Sequence, residues 1–283
     1  MTLDKYIQRY LDKATTEAEK GNADSMNISL KLARERAREK GVSLYEESES
    51  GSLYDIIDSI EQKCYMRAVE VELDTAKKLA KAGDASSMEI CLERSEKFNW
   101  FVRPELKKDI SRKVYEIGAM GYRASVPMVL DTAKKLAKAG DASSMESYLK
   151  IAEEYARKVI LYISDKVDEI KKIGYRESIP VQLDYARERA LAGNASSMVI
   201  HLRTAEGYAS KIGQDISDKV DEIKEICYRA SLPETLDTAE KLAKVGDAYL
   251  TELCLKKAQG YASKIGQDIS DEVCKIRALL PYR

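Results

Sequence analysis

Apolar residues recur along this chain at the three- and four-residue spacing of an amphipathic helix. In one segment, Leu130, Ala133 and Ala137 share a face of a predicted helix, and a second apolar stripe follows Gly140. The sequence contains no long alternation of apolar and polar residues of the kind that is typical of β-strands. The pattern therefore predicts an all-α protein.

The helical pattern is itself repeated. The block that begins at Leu73 reads LDTAKKLAKAGDASSM, and the block that begins at Leu130 is identical. Related blocks begin at positions 11, 183 and 236, so successive copies are 62, 57, 53 and 53 residues apart. Tyr-Arg pairs at 122–123, 175–176 and 228–229 recur in step. We predict one elongated domain, residues 1–283, of five repeats at approximately 1–65, 66–122, 123–175, 176–228 and 229–283.

Each repeat is predicted to contain three helices, A, B and C. In the third repeat helix A begins near Pro127, because proline is favoured in a first turn, and ends at Gly140, where a left-handed residue is expected. Helix B follows at once; Asp141 and Ser143 are both candidate caps, and the sequence does not decide between them. Helix C carries apolar residues within 163–173. One such unit buries too little apolar surface alone, so neighbours must stack.

The Gly-Asp-x-x-x-Met turn between helices A and B, followed by Leu, Ala and Tyr on helix B, resembles tetratricopeptide-like arrays. The third helix is similar to armadillo-type arrays. The period of about 53 residues is longer than the tetratricopeptide period of about 34 residues. The resemblance implies a right-handed α-solenoid of five three-helix repeats that binds protein or peptide partners. The near-identical copies also suggest recent duplication or engineering, and the charged surface suits a thermophile.

Composition narrows the function classes. The chain carries 47 basic and 48 acidic residues, so nucleic-acid binding is disfavoured. The longest apolar run, 159–163, is too short to span a membrane. Five cysteines without paired spacing indicate a reducing compartment, and we expect a cytoplasmic protein.

Catalytic chemistry is not expected. Phosphate-binding glycine motifs are absent from the sequence, and the carboxylates fall on the predicted solvent faces of helices. The single histidine, His201, occupies a position that holds Cys91, Tyr148 and Cys254 in other repeats. Because such different residues cannot share an acid–base or metal-binding role, we predict no enzyme, no metal site and no cofactor.

Two surfaces are predicted to bind a partner. The first is a variable face of helix B, on which residues at spacing i, i+1 and i+4 differ between repeats; unselected drift is the alternative. Its candidate residues are Tyr148, Ile151, His201 and Thr204. The second is the segment between helices B and C, which reads Gly-Gln-Asp in repeats four and five. Its candidate residues are Ile160, Leu161 and Tyr162 in repeat three and Phe98, Trp100 and Phe101 in repeat two, beside a four-residue insertion.

Three explanations of these apolar residues are open. They form an exposed patch that binds a partner. Alternatively, helices B and C of repeat three fuse and promote a domain-swapped homodimer. In the third explanation, the insertion of repeat two covers the corresponding segment of repeat three.

The Tyr-Arg pairs have two interpretations. A row of guanidinium groups from Arg123, Arg176 and Arg229 could bind carboxylates or phosphates. Alternatively, the tyrosines pack between repeats while the arginines cap carbonyls at the end of helix C. The acidic, serine-rich segment 45–52 is predicted to be a mobile loop. The expected function is a non-enzymatic binding scaffold, with a self-assembling structural array as the alternative.

Overall fold

A computed structural model describes residues 4–45 and 51–280, and all the regular structure in this part is helical. The prediction of an all-α protein is confirmed. The eleven helices in this part are α1 (Lys5–Glu19), α2 (Ala23–Glu39), α3 (Leu53–Ala82), α4 (Ala85–Asn99), α5 (Pro104–Lys138), α6 (Ala142–Lys158), α7 (Ser164–Leu191), α8 (Ala195–Ile212), α9 (Ser217–Lys244), α10 (Ala248–Lys264) and α11 (Ser270–Ala278).

The chain divides into two compact units. The first unit comprises residues 1–129 and 150–163, and the second comprises 130–149 and 164–283. In the first unit α1 packs on α2 and α3, and α3 packs on α2 and α4. In the second unit α7 packs on α8 and α9, and α9 packs on α8, α10 and α11. Helices thus pack on their neighbours in sequence, which is consistent with a helical repeat array.

The turn between helices A and B is built in the same way in all five repeats. Its glycines have left-handed φ angles of 71°, 73°, 74°, 65° and 80°; they are Gly21, Gly83, Gly140, Gly193 and Gly246. The following residue, aspartate or asparagine, caps helix B. In repeat three, Ser144 N–H donates to the Asp141 carboxylate at 3.0 Å, so Asp141 and not Ser143 is the cap.

The prediction that helix A starts at a proline is wrong. Pro127, Pro180 and Pro233 lie inside α5, α7 and α9, so helix C of one repeat continues into helix A of the next. An interior proline costs about 3 kcal/mol or more. Along α7, nine buried residues continue through Pro180 without interruption, and burying one large aliphatic side chain contributes about 1.5–3 kcal/mol. Burial of this stripe outweighs the cost of the proline.

A serine two residues before each of these prolines ties the long helix to the preceding turn. Ser125 Oγ donates to the Gly83 carbonyl at 2.7 Å, and Ser178 Oγ donates to the Gly140 carbonyl at 2.6 Å. Ser231 Oγ makes the equivalent bond to Gly193 at 3.2 Å. Each hydrogen bond holds the left-handed turn of one repeat against the next long helix.

The position occupied by Cys64, Gly121, Gly174 and Cys227 is a small-residue packing site. A Cβ atom added at Gly174 would lie 2.2 Å from Met145 Sδ and 3.3 Å from Ala137 Cβ. Cys64 and Cys227 are both fully buried. The close approach of the helices therefore sets an upper limit on side-chain size at this position.

Within the described residues, no helix has the length and apolar character that a transmembrane span requires. Residues 46–50 of the predicted mobile loop lie outside the described residues. Helix α3 then begins with a capping box. The Ser52 hydroxyl accepts a hydrogen bond from Asp55 N–H, and the Asp55 carboxylate accepts one from Ser52 N–H.

Candidate functional site

Helices B and C of repeat three are separate. We refer to the segment between these helices as a corner, numbered by its repeat; corner three is residues 159–163. Helix α6 ends at Lys158 and α7 begins at Ser164, so the expectation of a fused helix is wrong. The homodimer that fusion was expected to promote stays a prediction. Val159 and Ile163 are buried, whereas Ile160, Leu161 and Tyr162 are exposed by 94%, 44% and 75%. The corner therefore presents three large apolar side chains to solvent.

Ile160 has a φ of 52°, in the left-handed region, and it is the only non-glycine residue with a positive φ among those described. The same position in repeats one, four and five holds Gly41, Gly213 and Gly266, with φ of 68°, 69° and 64°. A shared hydrogen bond closes corners three to five: Leu161 N–H donates to the Ala156 carbonyl at 2.9 Å, and Gln214 and Gln267 N–H make the same bond. The turn is thus one that favours glycine, yet repeat three has a β-branched residue.

Corner two, residues 100–103, is also apolar at its surface. Trp100 is exposed by 78%, and the ammonium of Lys107 lies 5.4 Å from the centroid of its ring. Phe101 is exposed by 54% and stacks on Tyr65, with ring centroids 4.9 Å apart. Phe98, in contrast, is half-buried and does not belong to the exposed set.

Corner two packs against helix α3. Gln62 Nε2 donates to the Phe101 carbonyl at 3.1 Å, and Arg103 N–H donates to Gln62 Oε1 at 2.9 Å. Arg103 also forms an ion pair with Asp58 at 2.7 Å. The interpretation that this segment covers corner three is wrong, because it lies on α3 while residues 160–162 are exposed.

The variable face of helix B is divided between solvent and helix A. On α6, Tyr148 and Ile151 are exposed by 39% and 38%. On α8, His201 is half-buried: its Nδ1 lies 2.9 Å from Gln182 Oε1, and its ring lies 5.4 Å from that of Tyr185. Thr204 Oγ1 donates to the Ile200 carbonyl. His201 and Thr204 are therefore engaged in local contacts.

Each tyrosine of the Tyr-Arg pairs packs between repeats. We refer to the contact between the B helices of successive repeats as a junction, numbered by the earlier repeat. In junction two, Tyr122 packs on Tyr155 with ring centroids 5.4 Å apart. The Tyr122 hydroxyl and the Lys158 ammonium both donate to Glu89, and Lys158 lies 4.7 Å from the Tyr122 centroid. The predicted packing role of the tyrosines is confirmed.

The electrostatics of junction two match its geometry. Burial, together with the hydrogen bond to Glu89, raises the pKa of Tyr122 to about 12. Burial alone would raise the pKa of Glu89, but the hydrogen bonds from Lys158 and Tyr122 lower it overall. Burial alone would lower the pKa of Lys158, and its bonds to Glu89 and Tyr122 raise it overall. The cluster is therefore an internal ion pair bridged by a neutral tyrosine hydroxyl.

Junction three repeats this arrangement. Tyr175 OH donates to Glu146 Oε1 at 2.6 Å, and Lys211 Nζ donates to the same oxygen at 2.8 Å. Lys211 also lies 4.4 Å from the Tyr175 centroid, and Tyr175 stacks on Tyr208 at 5.3 Å. Burial, followed by the hydrogen bond to Glu146, raises the pKa of Tyr175. Sequence reasoning missed these lysine–glutamate pairs, although their recurrence in step with the tyrosines was a detectable signal.

The arginines do not cap helix ends, because the long helices continue past them. Arg123, Arg176 and Arg229 are exposed, and Arg229 forms an ion pair with Glu225 at 2.7 Å. The neighbouring tyrosine hydroxyls of junctions two and three are already bonded to glutamates. Anion binding by the arginines stays a prediction.

Among the residues described, no group of three or more His, Cys, Asp or Glu side chains is arranged to hold a metal ion. Burial is the main cause of the raised pKa of the Cys64 thiol, about 11. Such a thiol stays protonated near neutral pH and is a poor nucleophile.

No protein-family model, no curated protein and no solved structure matches this chain.

Proposed function

We propose that this chain is a non-enzymatic binding module, whose corners two and three bind a short apolar segment of a partner protein. The observation that carries the proposal is Ile160, an exposed isoleucine in a left-handed conformation. We name the exposed apolar side chains of the two corners, which are Ile160, Leu161, Tyr162, Trp100 and Phe101, the apolar corner surface.

Glycine at position 160 would stabilise the fold more than isoleucine does. A left-handed conformation costs roughly 1–2 kcal/mol for a residue with a Cβ atom. The 94% exposure of Ile160 means that burial recovers almost none of this cost. Strained residues of this kind concentrate at sites where the strain serves binding, and a partner that covers the side chain would supply the missing burial.

The extent of the surface favours a peptide over a second copy of the chain. The five exposed side chains present on the order of 700 Å², taking about 200 Å² for a large side chain. A standard protein interface needs about 800 Å² on each partner. A short segment with two or three apolar or aromatic anchors needs less area, because a few anchors supply most of the binding free energy.

Corner two is organised in advance for such a ligand. Lys107 lies over the Trp100 ring and also donates to the Trp100 carbonyl at 2.9 Å, and Phe101 is held by stacking on Tyr65. An anchor that is already positioned loses little conformational entropy on binding.

The sequential packing of helices in each unit supports a proposal about the path of the chain. We propose that the helices of each unit follow a right-handed solenoid path, as the tetratricopeptide-like and armadillo-like resemblance implies. Helix B would then contribute Tyr148 and Ile151, which are partly exposed, as a secondary contact surface.

The test grafts corner four onto corner three. The variant Ile160→Gly/Leu161→Gln/Tyr162→Asp carries the corner-four residues. Its aspartate is equivalent to Asp215, which accepts from the N–H of Ser217, the first residue of α9, at 2.9 Å. Peptides are selected from a random displayed library on the wild-type chain, and their dissociation constants are measured by calorimetry. We expect apolar or aromatic peptides that bind the graft at least roughly tenfold more weakly, the equivalent of about 1.4 kcal/mol.

Two controls separate binding from folding and from self-association. Val245→Gln removes an apolar side chain that is 77% exposed and lies outside the apolar corner surface, and it should leave the affinity unchanged. Sedimentation velocity at several concentrations should give a monomer. Selection of no peptide, equal affinity for wild type and graft, or a concentration-dependent dimer lost in the graft would refute the proposal.

A further inference from the structure

Junction four lacks the carboxylate that completes junctions two and three. The position of Glu89 and Glu146 holds Val199 in repeat four. The other members are retained: Tyr228 stacks on Tyr261 with ring centroids 5.4 Å apart, and Lys264 occupies the position of Lys158 and Lys211. Junction four therefore has the donors of the cluster without its acceptor.

The retained donors have no acceptor from the described part of the protein, and Lys264 is exposed to solvent. Within residues 51–280, neither the Tyr228 hydroxyl nor the Lys264 ammonium has a hydrogen-bond or ion-pair partner, whereas Tyr175 and Lys211 both donate to Glu146. Val199 is two side-chain atoms shorter than glutamate, so the position of the carboxylate is not filled from within. Tyr228 and Lys264 both line a cleft of about 710 Å³.

Most of the carboxylates around this cleft are already paired with a cation. Four carboxylates line it, and three of them are already paired: Asp221 with Lys224 at 3.5 Å, Glu222 with Arg187 at 2.6 Å and Glu225 with Arg229 at 2.7 Å. The fourth, Asp218, is in the first turn of α9, where the helix dipole favours a negative charge. Lys264 is thus a cation of the cleft without a partner of its own.

We propose that junction four is a binding site for a glutamate side chain of a protein or peptide partner. The Tyr228 hydroxyl and the Lys264 ammonium donate to one oxygen of the ligand carboxylate, and the ring of Tyr228, which lines the cleft, packs against its methylene groups. Junction three supplies the template, in which the equivalent donors lie 2.6 Å and 2.8 Å from Glu146 Oε1. Because this site belongs to the second unit and uses no residue of corners two and three, it is a separate binding site.

The structure suggests a variant that closes the site from within. Val199→Glu should restore the internal carboxylate and occupy both donors. Glu146→Val should conversely open an equivalent site at Tyr175 and Lys211. The first change adds an internal carboxylate and the second removes one, and neither replaces a stacked tyrosine.

The experiment follows backbone amide chemical shifts of the deuterated, ¹⁵N-labelled full-length chain during titration with the peptide acetyl-Gly-Glu-Gly-amide. Saturable shifts are expected at residues 199, 228 and 264 of the wild type. Lys264→Met should weaken this binding roughly tenfold, since charge-assisted hydrogen bonds are lost. Glu146→Val should add shifts at residues 175 and 211. Acetyl-Gly-Gln-Gly-amide should bind roughly tenfold more weakly, and so should acetyl-Gly-Gly-Gly with a free terminal carboxylate, which lacks the methylene groups.

Val199→Glu provides two independent readouts. Its shifts at residues 228 and 264 should no longer respond to the glutamate peptide, and its melting temperature should exceed that of the wild type. Equal responses of wild type and Val199→Glu, equal binding of the glutamine peptide, tighter binding of the free-carboxylate peptide, or no shift at residues 228 and 264 would overturn the assignment. None of these outcomes bears on the apolar corner surface, whose test uses other residues.

Discussion

Corners three and four have the same backbone conformation and different surfaces. Ile160 and Gly213 have φ of 52° and 69°, and the residue after each donates to an alanine carbonyl at 2.9 Å. Corner four exposes Gly-Gln-Asp, whereas corner three exposes isoleucine, leucine and tyrosine. The fold requires the left-handed turn in both corners and the apolar residues in neither.

This difference separates the backbone conformation that every repeat requires from the side chains that a single repeat carries in addition. The junctions differ by a loss and not by a gain. Junction four has the stacked tyrosines of junction three and lacks its carboxylate. A repeat protein acquires specific binding surfaces where equivalent positions share one backbone conformation and carry different side chains.

The largest effect is expected at the small-residue position, which repeats three and four have in common. A Cβ atom added at Gly174 would lie 2.2 Å from Met145 Sδ, and repeat four has Cys227 at that position. Gly174→Leu should lower the free energy of unfolding by about 3 kcal/mol, because a bulky side chain overpacks this contact. Denaturant unfolding measures the change.

Gly207→Leu is the matched control for this substitution. Gly207 is helical and has no atom within 4 Å of an added Cβ. The same substitution there should stabilise the chain by up to about 1 kcal/mol through helix propensity. Equal effects at the two glycines would show that the small-residue position does not restrict packing.

The exchange of residues between the two corners should have an intermediate effect. Gly213→Ile should cost about 1–2 kcal/mol of unfolding free energy, since isoleucine must adopt the left-handed conformation. Ile160→Gly should gain about 1 kcal/mol by relieving the same strain. Both are measured by the denaturant midpoint at constant m-value. If Ile160→Gly were destabilising, Ile160 would have a structural role and the central support for the apolar corner surface would be lost.

The smallest expected effect concerns the cap that precedes helix B. Hydrogen bonds with Ser144 lower the pKa of Asp141 below its ordinary value of 3.8, whereas the equivalent cap in repeat four is the non-titrating Asn194. Because the folded pKa is lowered, Asp141 contributes stability above pH 3.8, and this is lost as the pH falls through the folded pKa. Asp141→Asn should therefore reduce the loss of stability in acid, with little change at neutral pH.

The reciprocal variant Asn194→Asp should increase the acid sensitivity of unfolding. Both variants are compared with the wild type by denaturant unfolding at pH values between about 2 and 7, across the aspartate pKa range. Parallel pH profiles for all three chains would contradict a titrating cap at position 141.

Local signals in the sequence predicted the turns correctly and the long helices incorrectly. Gly140 and the capping residue after it act through backbone conformation and hydrogen bonds within a few residues, so their meaning is local. Pro180 carries an equally local signal, yet α7 continues through it. The burial of residues on both sides of Pro180 is a tertiary quantity, and it overrides a preference that is evaluated over one turn.

The candidate sites divide in the same way. The sequence identified Ile160, Leu161 and Tyr162 by their departure from the repeat, but three conformations of the corner were compatible with it. The packing of each tyrosine between repeats was one of two interpretations that the sequence left open. Its partners Glu89 and Lys158 are 69 residues apart, so their pairing could be recognised only from the packed helices.

The sequence by itself determined that the chain is helical, that its units recur in register and where each glycine turn lies, because periodicity and turn chemistry are local properties. Only the tertiary structure decided that helices C and A are continuous, that corner three is exposed and that the donors of junction four lack an acceptor. These features depend on which distant side chains become neighbours, and hence on burial and electrostatics that no short segment contains.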